Sequence, residues 1–500
     1  MSNTFASSLP GALRILLVVL AATPGAALAT TIYDSGSLGM ITGPSDDIEV
    51  RDSAGGSPTF VIADGAQIGF QLNPDNTLAL DPETNEPISS NTAQSIAVFD
   101  TSIVAMQGGE TADSVVVSDE SRFALISGDI GDDILASDNA SVTIAGGALD
   151  DLVAGGSALV AMSGGSADTV ELSGSARFVF SGGRVDDIDT AGGSSRVFVG
   201  PGALIDDDAF FVESARLETT GGQFDDELQF YDNTTAYFNG GNVGDDLVAA
   251  GSSVIEIHDL TVDDTIEAEG SSRTTIFGGQ FGAIEAAESA VVEFYGGTVL
   301  EGVAGLLGGK VVVDGGELAP VDGPEVLANL NGTVDVFDTP GTVLNAEASS
   351  GGAVNVFGGD FEELTVDALA AGAVLDGADA DELAVFAELG ATVEIRGGQI
   401  LDADLEARSG STITLFGTEF FAFGQLLDFG PVPFVAGDLV GTLADGGSFS
   451  GVFRRDFGLG NAAQIVLVNL PEPTSALMTL AAALAAALRP SRRGRTAPAV

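Results

Sequence analysis

The sequence predicts an all-β protein, a parallel β-solenoid of about 16 coils of 18 to 20 residues, with the right-handed connections of a β-helix. Three observations carry this prediction. Glycines mark a repeat of nearly constant length, apolar residues alternate with polar ones around each mark, and the composition combines 68 glycines with 45% hydrophobic residues. Such a chain is too apolar to stay disordered, and its repeat is too short for a separate globular domain.

Each coil begins at the first glycine of a pair, or at the residue that replaces it. The coil starts are Gly108, Gly128, Gly146, Gly164, Gly182, Pro201, Gly221, Gly240, Asp259, Gly278, Gly296, Gly315, Gly358, Gly377, Gly397 and Gly417. The rhythm is interrupted around Pro320, Pro324 and Pro340. Glycine fits a corner because it accepts a positive φ and a close backbone approach.

The strands follow from the residues on either side of each start. Apolar residues stand two and four positions before it, as in Phe178 and Phe180, and again three positions after it, as in Val185. Spacing of two places these side chains on one face of a strand. A single coil cannot bury that face, so equivalent strands must stack in parallel, two or three per coil, with apolar ladders inside.

The chain begins with the features of a secretory signal peptide. Arg14 precedes an apolar run from Ile15 to Ala22, and Ala27 and Ala29 provide a small-x-small cleavage site. The alternative is a short buried helix, which Pro24 would stop. The sequence therefore predicts export, with cleavage after residue 29.

The chain ends with a proline-marked stretch, an apolar segment from Ala476 to Leu488 and a basic terminus. The proline-marked stretch is Pro471, Glu472 and Pro473, and the basic residues are Arg489, Arg492, Arg493 and Arg495. This order resembles the PEP-CTERM sorting signal, and residues 437–469 are similar to the module preceding it in β-solenoid members of that group. The resemblance implies transient insertion into the inner membrane of a Gram-negative bacterium, processing by an exosortase, and delivery to the cell surface or beyond. The alternative is a soluble alanine-rich helix with a basic end.

Five segments follow from these features. Residues 1–29 are the signal peptide, 30–107 an N-terminal cap with the first coils, 108–418 the repeats, 419–468 a C-terminal β module, and 469–500 the hydrophobic sorting tail. The loop at 71–91 and the C-terminal module are expected to cover the open ends of the stack, which would otherwise pair with other chains.

Aspartates recur in the coils four or five residues after the start. They are Asp132, Asp133, Asp150, Asp151, Asp168, Asp186, Asp187, Asp206, Asp207, Asp225, Asp226, Asp245, Asp246, Asp263 and Asp264. Stacking would align them in a column that could bind calcium, and residues 128–136 resemble one nonapeptide of the calcium-binding RTX repeats. The alternative is that these aspartates hydrogen-bond their own turns in water.

Other residues restrict the function. The net charge of −56 argues against nucleic acid, and the chain has no cysteine or tryptophan and a single histidine, His258. The body broadly resembles the β-helices of polysaccharide lyases, but no cluster of base, cation and aromatic residues marks a catalytic site, so we expect no enzyme. The sequence predicts an exported structural or adhesive protein of the cell surface or the extracellular polysaccharide matrix. The alternative is a polysaccharide-binding or polysaccharide-cleaving β-helix.

Overall fold

A computed structural model describes residues 17–18, 31–34, 38–41, 44–45, 47–51, 59–63, 66–68, 96–190, 193–319, 325–337, 343–456 and 462–469. The cleavage residues Ala27 and Ala29, the loop at 71–91 and the sorting residues from Pro471 to Arg495 lie outside them. The described residues form strands joined by turns, and none of them belongs to a helix long and apolar enough to cross a membrane. The prediction of an all-β parallel β-solenoid is confirmed, with about 17 turns.

The chain divides into two compact units, Met1–Gly282 and Ala283–Val500. The first 26 strands have between two and 15 residues. They are β1 Leu17–Val18, β2 Thr31–Asp34, β3 Leu38–Ile41, β4 Pro44–Ser45, β5 Ile48–Arg51, β6 Thr59–Ile62, β7 Gln67–Ile68, β8 Ile96–Val98, β9 Ile103–Thr111, β10 Val115–Val117, β11 Arg122–Ile130, β12 Ile134–Ala136, β13 Ser141–Ile144, β14 Ala148–Ala154, β15 Leu159–Met162, β16 Ser166–Leu172, β17 Arg177–Thr190, β18 Arg196–Ile205, β19 Ala209–Phe211, β20 Arg216–Thr219, β21 Gln223–Phe224, β22 Leu228–Phe230, β23 Thr235–Val243, β24 Leu247–Ala249, β25 Val254–Ala268 and β26 Arg273–Ile276.

The inward positions of these strands form continuous apolar ladders. Val160 of β15 pairs in parallel with Phe178 of β17, and Phe178 pairs with Val197 of β18. All three side chains are at most 2% exposed. The residues that the alternation predicts to point inward therefore lie in the core. Burying one large apolar side chain there stabilises the folded state by about 1.5 to 3 kcal/mol.

The corner glycines lie against one another from coil to coil. Gly147 has φ +96°, and a Cβ atom on it would come within 2.4 Å of the carbonyl oxygen of Gly128. Gly128 has φ +111° and lies as close to Gly109. A side chain at these corners would prevent the coils from stacking, which explains the glycine pairs of the repeat.

A second turn in each coil has a residue with a positive φ that is not always glycine. Asp119 and Asp138 take this position with φ 63° and 57°, and Gly156 takes it in the next coil with φ 63°. Two residues later a small side chain is buried, Ser121 or Ala140. The Ser121 hydroxyl has two acceptors for its one proton, the carbonyl oxygens of residues 98 and 118, at 2.9 and 2.6 Å.

The remaining strands follow the same pattern up to the last coil. They are β27 Gln280–Ala287, β28 Val291–Phe294, β29 Thr298–Leu306, β30 Lys310–Asp314, β31 Glu317–Leu318, β32 Val326–Asn329, β33 Thr333–Phe337, β34 Val343–Ser349, β35 Ala353–Phe357, β36 Asp360–Leu369, β37 Gly372–Asp376, β38 Asp379–Glu388, β39 Thr392–Ile395, β40 Ile400–Ala407, β41 Thr412–Ala422, β42 Gln425–Leu426, β43 Gly430–Pro431, β44 Ala436–Leu443, β45 Ser448–Arg455 and β46 Gln464–Asn469.

The second unit keeps the coil pattern where the glycine rhythm lapses. Strand β33 pairs in parallel with β30 and with β35, so the described residues between Gly315 and Gly358 form coils too. Prolines replace the glycine pairs in this part of the sequence. At the C-terminal end β44 pairs antiparallel with both β41 and β45, and β46 pairs in parallel with β41.

Candidate functional site: two ladders of carboxylates

The aspartates of the repeat lie in the first unit, in the corner before the third strand of each coil. That strand is in register from coil to coil. Ile134 pairs with Leu152, Ile188 with Ala209, and Leu228 with both Ala209 and Leu247. The residues just before these positions are therefore stacked as well, at the interstrand spacing of about 4.8 Å.

In β14, β16, β17 and β25 the corner lies within one continuous strand, so we take the inward residue after the corner, such as Leu152, as the start of the third strand. The position two residues before this start is an aspartate in every one of these coils. We call this column the aspartate ladder. It consists of Asp113, Asp132, Asp150, Asp168, Asp186, Asp207, Asp226, Asp245 and Asp264. The ladder is longer than the sequence analysis predicted, because Asp113 begins it one coil earlier.

The position immediately before the strand is more varied, and we call it the mixed ladder. It consists of Ser114, Asp133, Asp151, Thr169, Asp187, Asp208, Glu227, Asp246 and Thr265. Neutral donors stand at its two ends. The Ser114 hydroxyl donates to Asp132 Oδ2 at 2.9 Å, and the Thr265 backbone N–H donates to Asp246 Oδ1 at 2.8 Å.

Three of the predicted residues, Asp206, Asp225 and Asp263, lie one position before the aspartate ladder and belong to neither column. The sequence pattern did not identify Asp208 and Glu227 either. The reason is the length of the corner. The coils that begin at Gly146, Gly164 and Gly182 have two residues between the inward positions that flank the corner, and the next four coils have three, so counting from the glycine shifts the register by one. Counting back from the following strand would have found the right residues.

The environment disfavours negative charge at five positions of the two ladders. Burial raises the pKa of the Asp150 carboxyl, and the stacked carboxylates Asp168 and Asp132 raise it further. Burial likewise raises the pKa of Asp245, with added repulsion from its neighbours Asp246, Asp226 and Asp264. The pKa values of Asp133, Asp187 and Asp208 are raised for the same two reasons, burial first and neighbouring carboxylates second.

One cation of the chain relieves this repulsion locally. Arg184 lies beside the ladder and forms ion pairs with Asp186, at 3.3 Å, and with Asp206. The ion pair with Arg184 therefore gives the Asp206 carboxylate a counter-charge without a metal ion.

Two triads of carboxylates have the geometry to share a cation. One oxygen from each of Asp207, Asp208 and Asp226 lies within 4.8 Å of the others, and so do oxygens of Asp245, Asp246 and Asp264. Carboxylate oxygens are the ligands that a hard cation such as calcium prefers, but calcium takes six to eight of them. Water or backbone carbonyls would have to supply the rest.

Comparisons with known proteins give no relative for this arrangement. No family model, no curated protein and no solved structure matches the chain.

Proposed function

We propose that this protein is an exported structural or adhesive component of the bacterial cell surface or the extracellular polysaccharide matrix. The observation that carries the proposal is the architecture. Nearly all described residues repeat one element, the β coil, with its apolar side chains turned inward and its charged ones outward. A chain built from one repeated element offers a regular outer surface, which suits a scaffold.

The net charge of −56 supports a role in contact with water. Strong charge of one sign keeps copies of a protein apart and its surface hydrated. The chain contains no cysteine, so its stability outside the cell does not depend on disulfide formation. Both properties fit an extracellular scaffold.

Delivery is proposed to use the two ends of the sequence. The signal peptide at residues 1–29 would start translocation, and the four terminal arginines would arrest it, because arginine is held on the cytoplasmic side of the membrane. The apolar segment from Ala476 to Leu488 has 13 residues, short of the ~20 that span a bilayer. We therefore propose that the main role of the tail is to be recognised and removed by an exosortase-type enzyme, and that its role as a membrane anchor is secondary.

The test is expression of the full-length protein in a Gram-negative host with and without its exosortase, followed by fractionation and mass spectrometry of the C-terminus. We expect the mature product to lack the tail. Replacing Arg489, Arg492, Arg493 and Arg495 with alanine should abolish retention at the inner membrane, while replacing them with lysine should preserve it. An intact tail on the extracellular protein would refute the sorting proposal.

A further inference from the structure

Three arginines stand side by side on the outer face of the first unit. Arg177 of β17 pairs in register with Arg196 of β18, and Arg196 pairs with Arg216 of β20. We call this column the arginine ladder. Its rungs are about 4.8 Å apart, so three positive charges occupy neighbouring strands. The whole chain has only 17 basic residues against 73 acidic ones.

Arginines of this protein commonly pair with an acid two residues away on the same strand face. Five of them do so: Arg51 with Glu49, Arg184 with Asp186, Arg216 with Glu218, Arg396 with Glu394 and Arg408 with Glu406. At the equivalent positions Arg177 has Val179 and Arg196 has Phe198. Among the residues that the structure describes, neither of these two arginines has an ion pair with a carboxylate.

The arginine ladder borders a shallow depression of about 180 Å³. Its other walls include the half-buried side chains of Val179 and Phe198, and Glu218 closes one end. Guanidinium groups thus lie beside an apolar surface, and among the described residues that line the depression the one acid is Glu218, 2.7 Å from Arg216. The site is positive within a strongly negative protein.

Three stacked arginines beside apolar side chains favour a ligand that is anionic and carries apolar surface. Guanidinium groups bind carboxylates through paired hydrogen bonds, and their repetition on three strands requires anionic groups that also repeat. The half-buried ring of Phe198 lines the depression, and Tyr237, which follows Glu218 in register, is 37% exposed with its ring 5.1 Å from that of His258. Aromatic side chains at this edge offer apolar surface for a sugar ring. The carboxylate of Glu218 can accept hydrogen bonds from sugar hydroxyls.

We infer that the arginine ladder binds a linear polysaccharide bearing carboxylate groups, laid across strands β17, β18 and β20. Nucleic acid fits less well, because duplex DNA carries about one charge per 1.7 Å of its axis, and the negative rest of the protein repels so dense a charge more than it repels one carboxylate per sugar. The inference does not depend on how the protein is exported, because it rests only on the described residues of the first unit.

The test is titration of the full-length protein with oligogalacturonate, with the fully methyl-esterified oligomer as the neutral probe. We expect saturable binding of the acid form that weakens with added salt, and no binding of the ester. The double variant Arg177→Gln/Arg196→Gln should lose at least tenfold in affinity. Arg122→Gln is the matched control, because Arg122 stands in the same outward column between Ile103 and Ser141 and has no arginine beside it.

Several results would overturn the inference. The first is equal binding of the acid oligomer and the ester. The second is a loss of affinity in the Arg122→Gln control as large as that in the double variant. The third is the absence of any binding while thermal melting shows that the proteins are folded. Tighter, arginine-dependent binding of single-stranded DNA would assign the site to nucleic acid instead. Self-association that the double variant abolishes, measured by sedimentation, would assign it to a second copy of the chain.

Discussion

Glu325 provides the sharpest test of the packing in the second unit. Its side chain is buried, with the residue 6% exposed, and the Asn345 backbone N–H donates a hydrogen bond to its Oε2 at 3.3 Å. Its own backbone joins the neighbouring rungs, accepting from Val303 N–H at 2.8 Å and donating to the Asn345 carbonyl at 3.0 Å. Burial raises the pKa of the Glu325 carboxyl from 4.5 to about 7.

The raised pKa of Glu325 sets both the direction and the size of the change in the free energy of unfolding with pH. The folded protein holds the Glu325 proton more tightly than the unfolded chain does, so this stabilisation is fully present below pH 4.5 and is lost as the pH rises through about 7. One pKa unit corresponds to about 1.4 kcal/mol, so ionisation of Glu325 should lower the free energy of unfolding by about 3 kcal/mol. Glu325→Gln keeps an oxygen for the Asn345 N–H and removes the titration.

Hydrogen exchange is the suitable assay, because stacked coils can open locally without unfolding the whole chain. Strands β32 and β34 of the wild type should lose protection between about pH 4.5 and pH 7 after correction for the intrinsic exchange rate. Glu325→Gln should keep its protection, and Glu363→Gln, at an exposed position of β36, is the control. Equal pH dependence in the wild type and in Glu325→Gln would refute the reasoning.

Two further predictions concern the turns. At matched ionic strength, calcium should raise the melting temperature of the wild type more than that of the variant Asp226→Asn/Asp245→Asn. The control variant Asp225→Asn/Asp263→Asn, whose residues lie outside both ladders, should respond to calcium like the wild type. An equal response of all three proteins would mean that the aspartates are solvated and bind no calcium. Leu389 is 60% exposed and has φ +52°, a backbone conformation that strains a leucine but not a glycine. Leu389→Gly should therefore raise the free energy of unfolding by up to about 1 kcal/mol in thermal unfolding. A melting temperature below that of the wild type would contradict this prediction.

The inner face of the solenoid could be predicted because its signal is local. Alternation over four residues identifies Phe178 and Phe180 as inward, and the structure buries both, with their rings 5.4 Å apart. The glycine pairs also lie within one short stretch of sequence. Each of these features needs only neighbouring residues, so no knowledge of the stacking register is required.

The outer columns could not be read in the same way, because they depend on register between coils. The corner from Val185 to Ile188 has one residue fewer than the corner from Ile205 to Ala209. This difference decides which acid enters the aspartate ladder, and no local pattern reports it. The arginine ladder was missed for the same reason, since its members are 19 and 20 residues apart and each alone resembles an ordinary surface arginine.

The charged columns are not required by the fold. The aspartate ladder ends at Asp264, whereas the inward positions continue with buried residues such as Phe281. Two like charges about 4.8 Å apart repel by roughly 1 kcal/mol in water and by several times more at a partly dry surface, and the cost recurs on every rung. A parallel stack repeats any outward residue at the same spacing, so a group of opposite charge along a like-charged column stabilises it. Arg184 does this at one point of the aspartate ladder, and Glu218 does it at one end of the arginine ladder. Along the remaining rungs water and salt screen the repulsion, and a bound ligand of opposite charge would relieve it further, which is why both columns are the places to look for ligands.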